Sequence, residues 1–252
     1  MGVQNNIQKQ VWDTHIELFK EKLDDYIIKS YDSNYSAVIL ETREHPHLET
    51  VIKNIMYFLN ESDSNNKWKL EIFHGNLNKE FCEKIVEGID NVELHHIDYD
   101  FMELYDYDSV FRTTKFWKTI TSDNILIFQA DTVLLKHGID EFLKYPYIGA
   151  PWLKPKEGKY VGNGGLSLRN KQKMIEVIEN YPNDNYFKED IYFIKYLNNE
   201  DIASIEVAKR FSVEDSYYND PLGLHQPKIQ QKYLKILMKE GINNIKNKYE
   251  LL

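Results

Sequence analysis

Hydrophobic positions along the chain change period several times, and each change marks an element. Trp12, Ile16, Phe19, Leu23 and Ile27 recur at helical spacing among Lys, Glu and Asp, predicting an amphipathic helix over about Gln8 to Ser30. Ser36-Ala37-Val38-Ile39-Leu40 is a compact apolar run and reads as a first strand. Pro46 then introduces a helix whose buried stripe is Leu48, Val51, Ile52, Ile55, Met56 and Leu59. Trp68 to Phe73 predicts a second strand, Phe81, Ile85 and Val86 a short helix, and Val92 to Ile97 a third strand. Strand and helix alternating at this spacing predict a parallel, doubly wound α/β sheet.

A helix over Tyr105 to Ile120 is expected to feed a fourth strand, which begins at Asn124 and ends in Gln129-Ala130-Asp131. Beyond it the pattern loosens. A helix is expected near Gln172 to Asn180, and another starting at Lys188 with Glu189 and Asp190 in its first turn. Ser204 to Phe211, with Ile205 and Val207, reads as a late strand. The tail after Lys228 is amphipathic, with Ile229, Tyr233, Ile236 and Leu237 on one side. The expected organisation is an N-terminal helical segment (1–31), one α/β domain (32–228) and a C-terminal helical tail (229–252), the two ends offering faces for a second subunit.

Composition narrows the classes. The chain has 252 residues, 42% of them hydrophobic, enough for one large core. A net charge of −9 disfavours general nucleic-acid binding. The single Cys82 excludes an internal disulfide and a thiolate metal cluster. No basic-then-apolar leader opens the sequence and no apolar stretch approaches the roughly 20 residues of a membrane span, so a soluble cytoplasmic protein is expected.

Candidate chemistry begins where the fourth strand ends. Gln129-Ala130-Asp131 puts an amide and a carboxylate two residues apart, on one face while the chain stays extended, at the strand end where α/β sheets bind ligands. Gly162-Asn163-Gly164-Gly165 follows, too late in the chain for a dinucleotide fingerprint and without the Gly-Lys-Ser/Thr of a P-loop. Then come the acids Glu189-Asp190, a second pair Glu214-Asp215, and His225 in a turn-rich loop. Thr42 and Arg43 end the first strand, and Arg112 and Lys115 share a helix face.

This order resembles glycosyltransferases of the A-type (GT-A, nucleotide-diphospho-sugar transferase-like) fold, and the wording is closest to a largely uncharacterised family of glycosyltransferase-like proteins. Val38 to Arg43, Phe73-His74-Gly75, Phe116-Trp117, Ile127 to Asp131, Tyr147 to Trp152, Gly162 to Arg169, Glu189-Asp190 and Gly223 to Pro227 carry the resemblance, which spans Ser36 to Pro227. It implies transfer of a sugar from a nucleotide-sugar, by default a UDP-sugar, to a hydroxyl acceptor that is a glycan, a protein or a small molecule. It implies Mn²⁺ or Mg²⁺ held by Asp131 and His225, since oxygen ligation with one imidazole suits those ions better than structural zinc. Gln129 stands where the usual Asp-any-Asp element has its first acid, and can hydrogen-bond a ribose or a metal-bound water without supplying charge. The resemblance assigns the donor to Thr42, Arg43, Arg112, Lys115, Gln129, Asp131, Gly164 and Gly165. The base would be Asp190, or Glu189 beside it, with an inverting outcome; Glu214 and Asp215 are the other acids available. Trp117, Tyr147 and Trp152 offer rings for a sugar. Two other readings are a binding protein that keeps the fold without catalysis, which Gln129 favours, and a nucleotidyltransferase, which Glu41-Thr42-Arg43-Glu44-His45 disfavours because it is not a glycine-rich basic loop.

Overall fold

The computed structural model describes residues 2–182 and 188–246, with side chains from residue 8 onward. The four apolar runs become β1 (Tyr35–Glu41), β2 (Lys69–His74), β3 (Val92–His96) and β4 (Asn124–Phe128), which pair in parallel. Later strands are β5 (Thr132–Leu134), β6 (Tyr147–Gly149), β7 (Pro151–Lys156), β8 (Lys159–Val161), β9 (Leu166–Asn170), β10 (Ser212–Val213) and β11 (Gly223–His225). The main sheet has the order β3-β2-β1-β4-β9-β6, with β9 antiparallel to β4 and to β6. A small second sheet, β10-β11-β5, and the β7-β8 hairpin complete the pairing.

Helices α1 (Gly2–Lys22), α2 (Leu48–Asn60), α3 (Lys79–Ile85), α4 (Leu104–Phe111), α5 (Thr114–Thr119), α6 (Lys171–Asn180), α7 (Glu189–Tyr196), α8 (Ile205–Phe211) and α9 (Gln231–Asn243) cover both faces. Successive side chains of a strand leave opposite faces, so alternate residues feed different cores. Ala37, Ile39, Leu126 and Phe128 join the side built by α1, α2 and α9. Val38, Leu40, Ile125 and Ile127 join the side built by α5, α6 and α7. Burial on both faces explains why these strands read as continuous apolar runs. The architecture is mixed α/β with a central, mostly parallel sheet.

Three expected elements come out differently. The first helix ends at Lys22, well before Ser30, and Ile27 is exposed. Lys20 and Lys22 suit the negative end of the helix dipole, whereas Asp24 and Asp25 would oppose it one turn later. The expected helix over Tyr105 to Ile120 is two helices, because the Thr113 hydroxyl accepts the Phe116 N–H at 3.3 Å and caps a new start. Ser204 to Phe211 is a helix and not a strand. Ala208 and Phe211 are its buried residues, three apart, and Glu206 near its start with Lys209 and Arg210 near its end complement the dipole.

Both terminal helices sit in the main core: Trp12, Ile16, Phe19 and Leu23 of α1 and Leu234, Leu237 and Met238 of α9 are buried there. Met1 and residues 247–252 of the expected tail lie outside the described residues. Cys82 is buried on α3, and loss of solvation pushes its thiol up to about 12. No helix among the described residues is long and apolar enough to cross a membrane.

What positions the site is the strand order. From β1 the chain runs outward to β2 and β3, then returns to place β4 on the other side of β1. The gap beyond the carboxyl ends of β1 and β4 is therefore a topological switch point, where open α/β sheets bind ligands.

Candidate functional site

Val38 pairs with Ile127 across β1 and β4, which brings the segment after Glu41 beside Gln129-Ala130-Asp131. Past Asp131 the chain enters β5, and β5 pairs antiparallel with β11 so that Thr132 faces His225. The Gln226 N–H donates to the Asp131 carbonyl at 3.0 Å and extends that ladder. This three-residue pairing closes the long sequence gap. His225 Nε2 lies 3.6 Å from Asp131 Oδ1 and 3.1 Å from Gln129 Oε1. The imidazole is buried and the carboxylate is about a third exposed, so the pair opens toward solvent on the aspartate side. Gln129 is also hydrogen-bonded to the Tyr107 hydroxyl, whose proton burial holds tightly. His225 Nδ1 is buried with no hydrogen-bond partner among the described residues.

Two clefts meet at Asp131, with the buried His225 behind it and in the lining of neither. The first, about 440 Å³, is lined by Thr42, Arg43, Phe101, Leu104, Tyr107 and Gln129. The second, about 700 Å³, lies toward α1 and includes Trp12, Asp13, His47 and Lys228. Asp131, Ala130, His45 and Gln226 line both. Each volume falls within the roughly 300–1,000 Å³ of small-molecule sites. In the first cleft, Arg43 forks onto Glu41 through Nε and Nη2, both at 2.7 Å, which together with the Asp131 field keeps the guanidinium charged. Thr42 Oγ1 accepts the Met102 N–H at 3.1 Å and ties β1 to the opposite wall. On the shared wall, burial depresses the His45 pKa, so the ring is neutral near pH 7. The His47 N–H donates to His45 Nδ1 at 3.3 Å, leaving the ring proton on Nε2 as a donor.

The glycine string serves space as much as backbone freedom. A Cβ on Gly165 would lie 2.1 Å from His225 Nε2, and one on Gly164 would lie 2.2 Å from Glu189 Oε1 and 3.1 Å from Asp190 Cβ. Consecutive glycines thus admit the imidazole and the acidic pair against one stretch of backbone. Gly162 alone of the three requires an unusual conformation, with φ of 148°, under Trp152 and Ile194.

Glu189 and Asp190 differ sharply. Both Glu189 oxygens accept from the fully buried Arg169, at 2.5 and 2.8 Å, and Arg169 is ringed by Phe111, Trp117, Tyr147 and Phe193. Trp117 and Tyr147 are therefore packed around a guanidinium and present no face to a sugar. Asp190 has one hydrogen bond, from the Ile191 N–H at 2.7 Å. Burial, and then the adjacent Glu189 charge, push its carboxyl up to about 7. Neither acid lines either cleft. Glu214 accepts from Asn163 and Lys228, both at 2.6 Å, and Asp215 lies 3.5 Å from Lys228.

Arg112 and Lys115 are not brought to the clefts. Arg112 turns back onto the Asp108 carbonyl and Ser109 hydroxyl at the end of α4, and Lys115 is exposed on α5. Conversely, the clefts contain Tyr107, His45, Gln226 and the α1 residues, to which sequence reasoning assigned no role. The His45-Pro46-His47 triplet, which follows Arg43 and Glu44, and the Gly223 to Pro227 string that contains Gln226 were the signals available.

The donor set at the junction is one carboxylate, one imidazole and one amide oxygen, which fits a hard, oxygen-seeking divalent ion with remaining positions filled by ligand or water. Among the described residues no group of three His, Cys, Asp or Glu side chains is arranged to hold a metal by itself.

In comparisons with known proteins, no curated protein matches the sequence. Two solved structures of the glycosyltransferase GlyE of Streptococcus pneumoniae TIGR4 are similar in shape. The apo form has a TM-score of 0.47 at 12% identity over 83% of this chain and 62% of that one, and the other has 0.46 at 12% over 84% and 63%. The chain thus spans less than two thirds of either GlyE chain. A family model described as "Protein of unknown function (DUF5672)" matches residues 91–225, from β3 through β11. That stretch holds Gln129, Asp131, the paired glycines, Glu189, Asp190 and His225, and because it is more than half of the 252 residues, the chain belongs to the DUF5672 family.

Proposed function

We propose that the protein is a glycosyltransferase of the A-type fold, moving a sugar from a nucleotide-sugar, a UDP-sugar in the first instance, to a hydroxyl acceptor with Mn²⁺ or Mg²⁺. The observation that carries the reading is the 3.6 Å approach of the buried His225 to Asp131, the carboxylate shared by two clefts on the sheet's switch point. Two substrates that must meet at one reacting carbon need two compartments with a common wall. Asp131 and His225 would hold the ion, whose chemistry there is to offset charge building on the leaving diphosphate.

In this reading the nucleotide occupies the first cleft, with Thr42 and Arg43 at the end of β1 and the apolar Phe101 and Leu104 opposite. The His45 Nε2–H donates from the shared wall. Asp190, behind Gly164 and outside both clefts, is the residue the resemblance assigns to take the acceptor proton as the acceptor oxygen bonds to the anomeric carbon, which requires the acceptor to reach past the glycines. The bond from that carbon to the diphosphate oxygen breaks, its electron pair leaving with the nucleoside diphosphate, and a single displacement inverts the carbon. A carboxyl with a pKa near 7 is matched to such proton transfer at neutral pH. Glu189, consumed by Arg169, positions the start of α7.

The test is release of UDP from a panel of UDP-sugars with Mn²⁺ or a chelator. Wild-type protein releases UDP only with the ion, and Asp131→Ala and His225→Ala lose the release while staying folded. Gln129 in place of an acid favours one rival, an inactive nucleotide-sugar-binding protein; tight UDP binding with no turnover on any acceptor would establish it. Absence of any nucleotide binding would overturn the proposal.

A further inference from the structure

We propose that the second cleft is the acceptor subsite, that α1 builds its outer wall, and that its occupant is an uncharged oligosaccharide. The inference rests on the sugar-transfer reading for the identity of the first cleft, but its own argument concerns the second.

The cleft is enclosed on one side by α1 and on the other by the segment leading into α9, with Lys228 at its edge. Its wall is composite. Trp12 lines it with the 8% of its surface that core packing leaves exposed, and Gln8 is held in place by donating Nε2–H to the Ile229 carbonyl at 2.9 Å. Asp13 reaches across to α2, where His47 Nε2 lies 3.3 Å from Asp13 Oδ1. A carboxylate, an amide and imidazoles around the small exposed part of an indole make up the donor and acceptor mixture that binds sugar hydroxyls.

Charge argues against an anionic acceptor. Lys228 is claimed by Glu214 and Asp215, and the lining sets two carboxylates, Asp13 and Asp131, against Lys9. The size of the cleft argues for a short oligosaccharide over an extended polypeptide. Its volume is that of a small-molecule site. Asp131, His45 and Gln226, which also face the first cleft, set the direction in which an acceptor hydroxyl must enter. Gln226 is held with φ of 37°, a strained value for a residue other than glycine, by the bond from its N–H to the Asp131 carbonyl.

Ligand-observed NMR on the full chain tests this with maltose, cellobiose and lactose as neutral probes, glucose 6-phosphate as an anionic probe, and UDP with Mn²⁺ as a donor-side probe. At least one disaccharide is expected to bind more tightly than glucose 6-phosphate, and Asp13→Asn to weaken it about 10-fold, the value of one hydrogen bond to a charged group. His47→Gln, read alongside a melting curve, supplies the second variant should Asp13→Asn fold poorly. Disaccharide binding unchanged in both folded variants, or preference for the phosphorylated sugar, overturns the proposal. UDP binding without any disaccharide binding also overturns it while leaving the donor reading intact. Disaccharide binding that depends on Asp13 without UDP binding supports the subsite and removes the donor reading instead.

Discussion

Gly165→Ala is the smallest change that separates the junction from the rest of the fold. The added Cβ would lie 2.1 Å from Nε2, 2.4 Å from Cε1 and 2.5 Å from Cδ2 of His225, so it meets the ring and not a flexible chain end. Restoring the ordinary separation of about 3.5 Å requires the ring to retreat by roughly 1.4 Å. The backbone of His225 cannot yield easily, because it is fixed in the β5-β11 ladder opposite Thr132 with Leu224 buried beside it. The side chain must therefore turn, taking Nε2 away from Asp131 and Gln129. Overpacking of this kind costs about 1–3 kcal/mol of stability, and misplacement of a functional group by about 1 Å costs about 10²-fold in rate. The assay is Mn²⁺-dependent UDP release, paired with calorimetric titration of Mn²⁺ in the presence of UDP. Gly164→Ala is the matched comparison, since its Cβ meets Glu189 and Arg169 and strains the buried ion pair instead. Gly165→Ala is expected to lower turnover and ion affinity more than the melting temperature, and Gly164→Ala the reverse. Full Mn²⁺-stimulated turnover with an unchanged titration in Gly165→Ala would refute the claim that His225 holds the ion.

Three further outcomes follow from the acidic pair. Asp190 as the base requires its ionised form, so kcat/KM should rise with pH and level off above about 7, a limb that Asp190→Asn removes along with activity. Stability should move the other way. Between the ordinary carboxyl value and about 7 the folded protein holds a proton the unfolded chain lacks, so stability falls as pH rises through that window, by on the order of 4 kcal/mol, and this slope should vanish in Asp190→Asn denaturant titrations. Glu189→Gln leaves the fully buried Arg169 charge without a counter-ion and should cost about 3–5 kcal/mol by urea denaturation; a loss of activity at unchanged stability would mean that Glu189 works on substrate and not on Arg169.

The central strands were legible because each is buried on both faces and therefore written as an unbroken apolar run: Ser36 to Leu40 falls inside β1, and the run from Asn124 becomes β4, which stops at Phe128, short of the Gln129-Ala130-Asp131 end expected for it. Where burial is one-sided or an element is short, the code is thinner. Ile205 and Val207 suggested a strand through their β-branching, yet the spacing of Ala208 and Phe211 decided for a helix. Thr113 could be seen to be a capping residue only once the helix on either side was known to stop.

At the site, the chemistry was more legible than the geometry that makes it work. Asp131 and His225 could be picked out by residue type and order, but they meet through β5 and β11, strands of three residues each with no periodic signature. The paired glycines announced a close approach, and the approaching groups are the protein's own imidazole and carboxylates, which ranks the string as a support of the junction before any contact with ligand. Gln226 shows why the remainder was hidden: nothing in a Gln-Pro dipeptide specifies a φ of 37°. That conformation exists because the Gln226 N–H is drawn to the Asp131 carbonyl, continuing the same ladder that aligns His225. A short strand pair thus sets the ion-binding side chains and the shared wall of both clefts together, and a disturbance of β11 should disable donor and acceptor binding at once, whereas one confined to α1 should touch the acceptor alone.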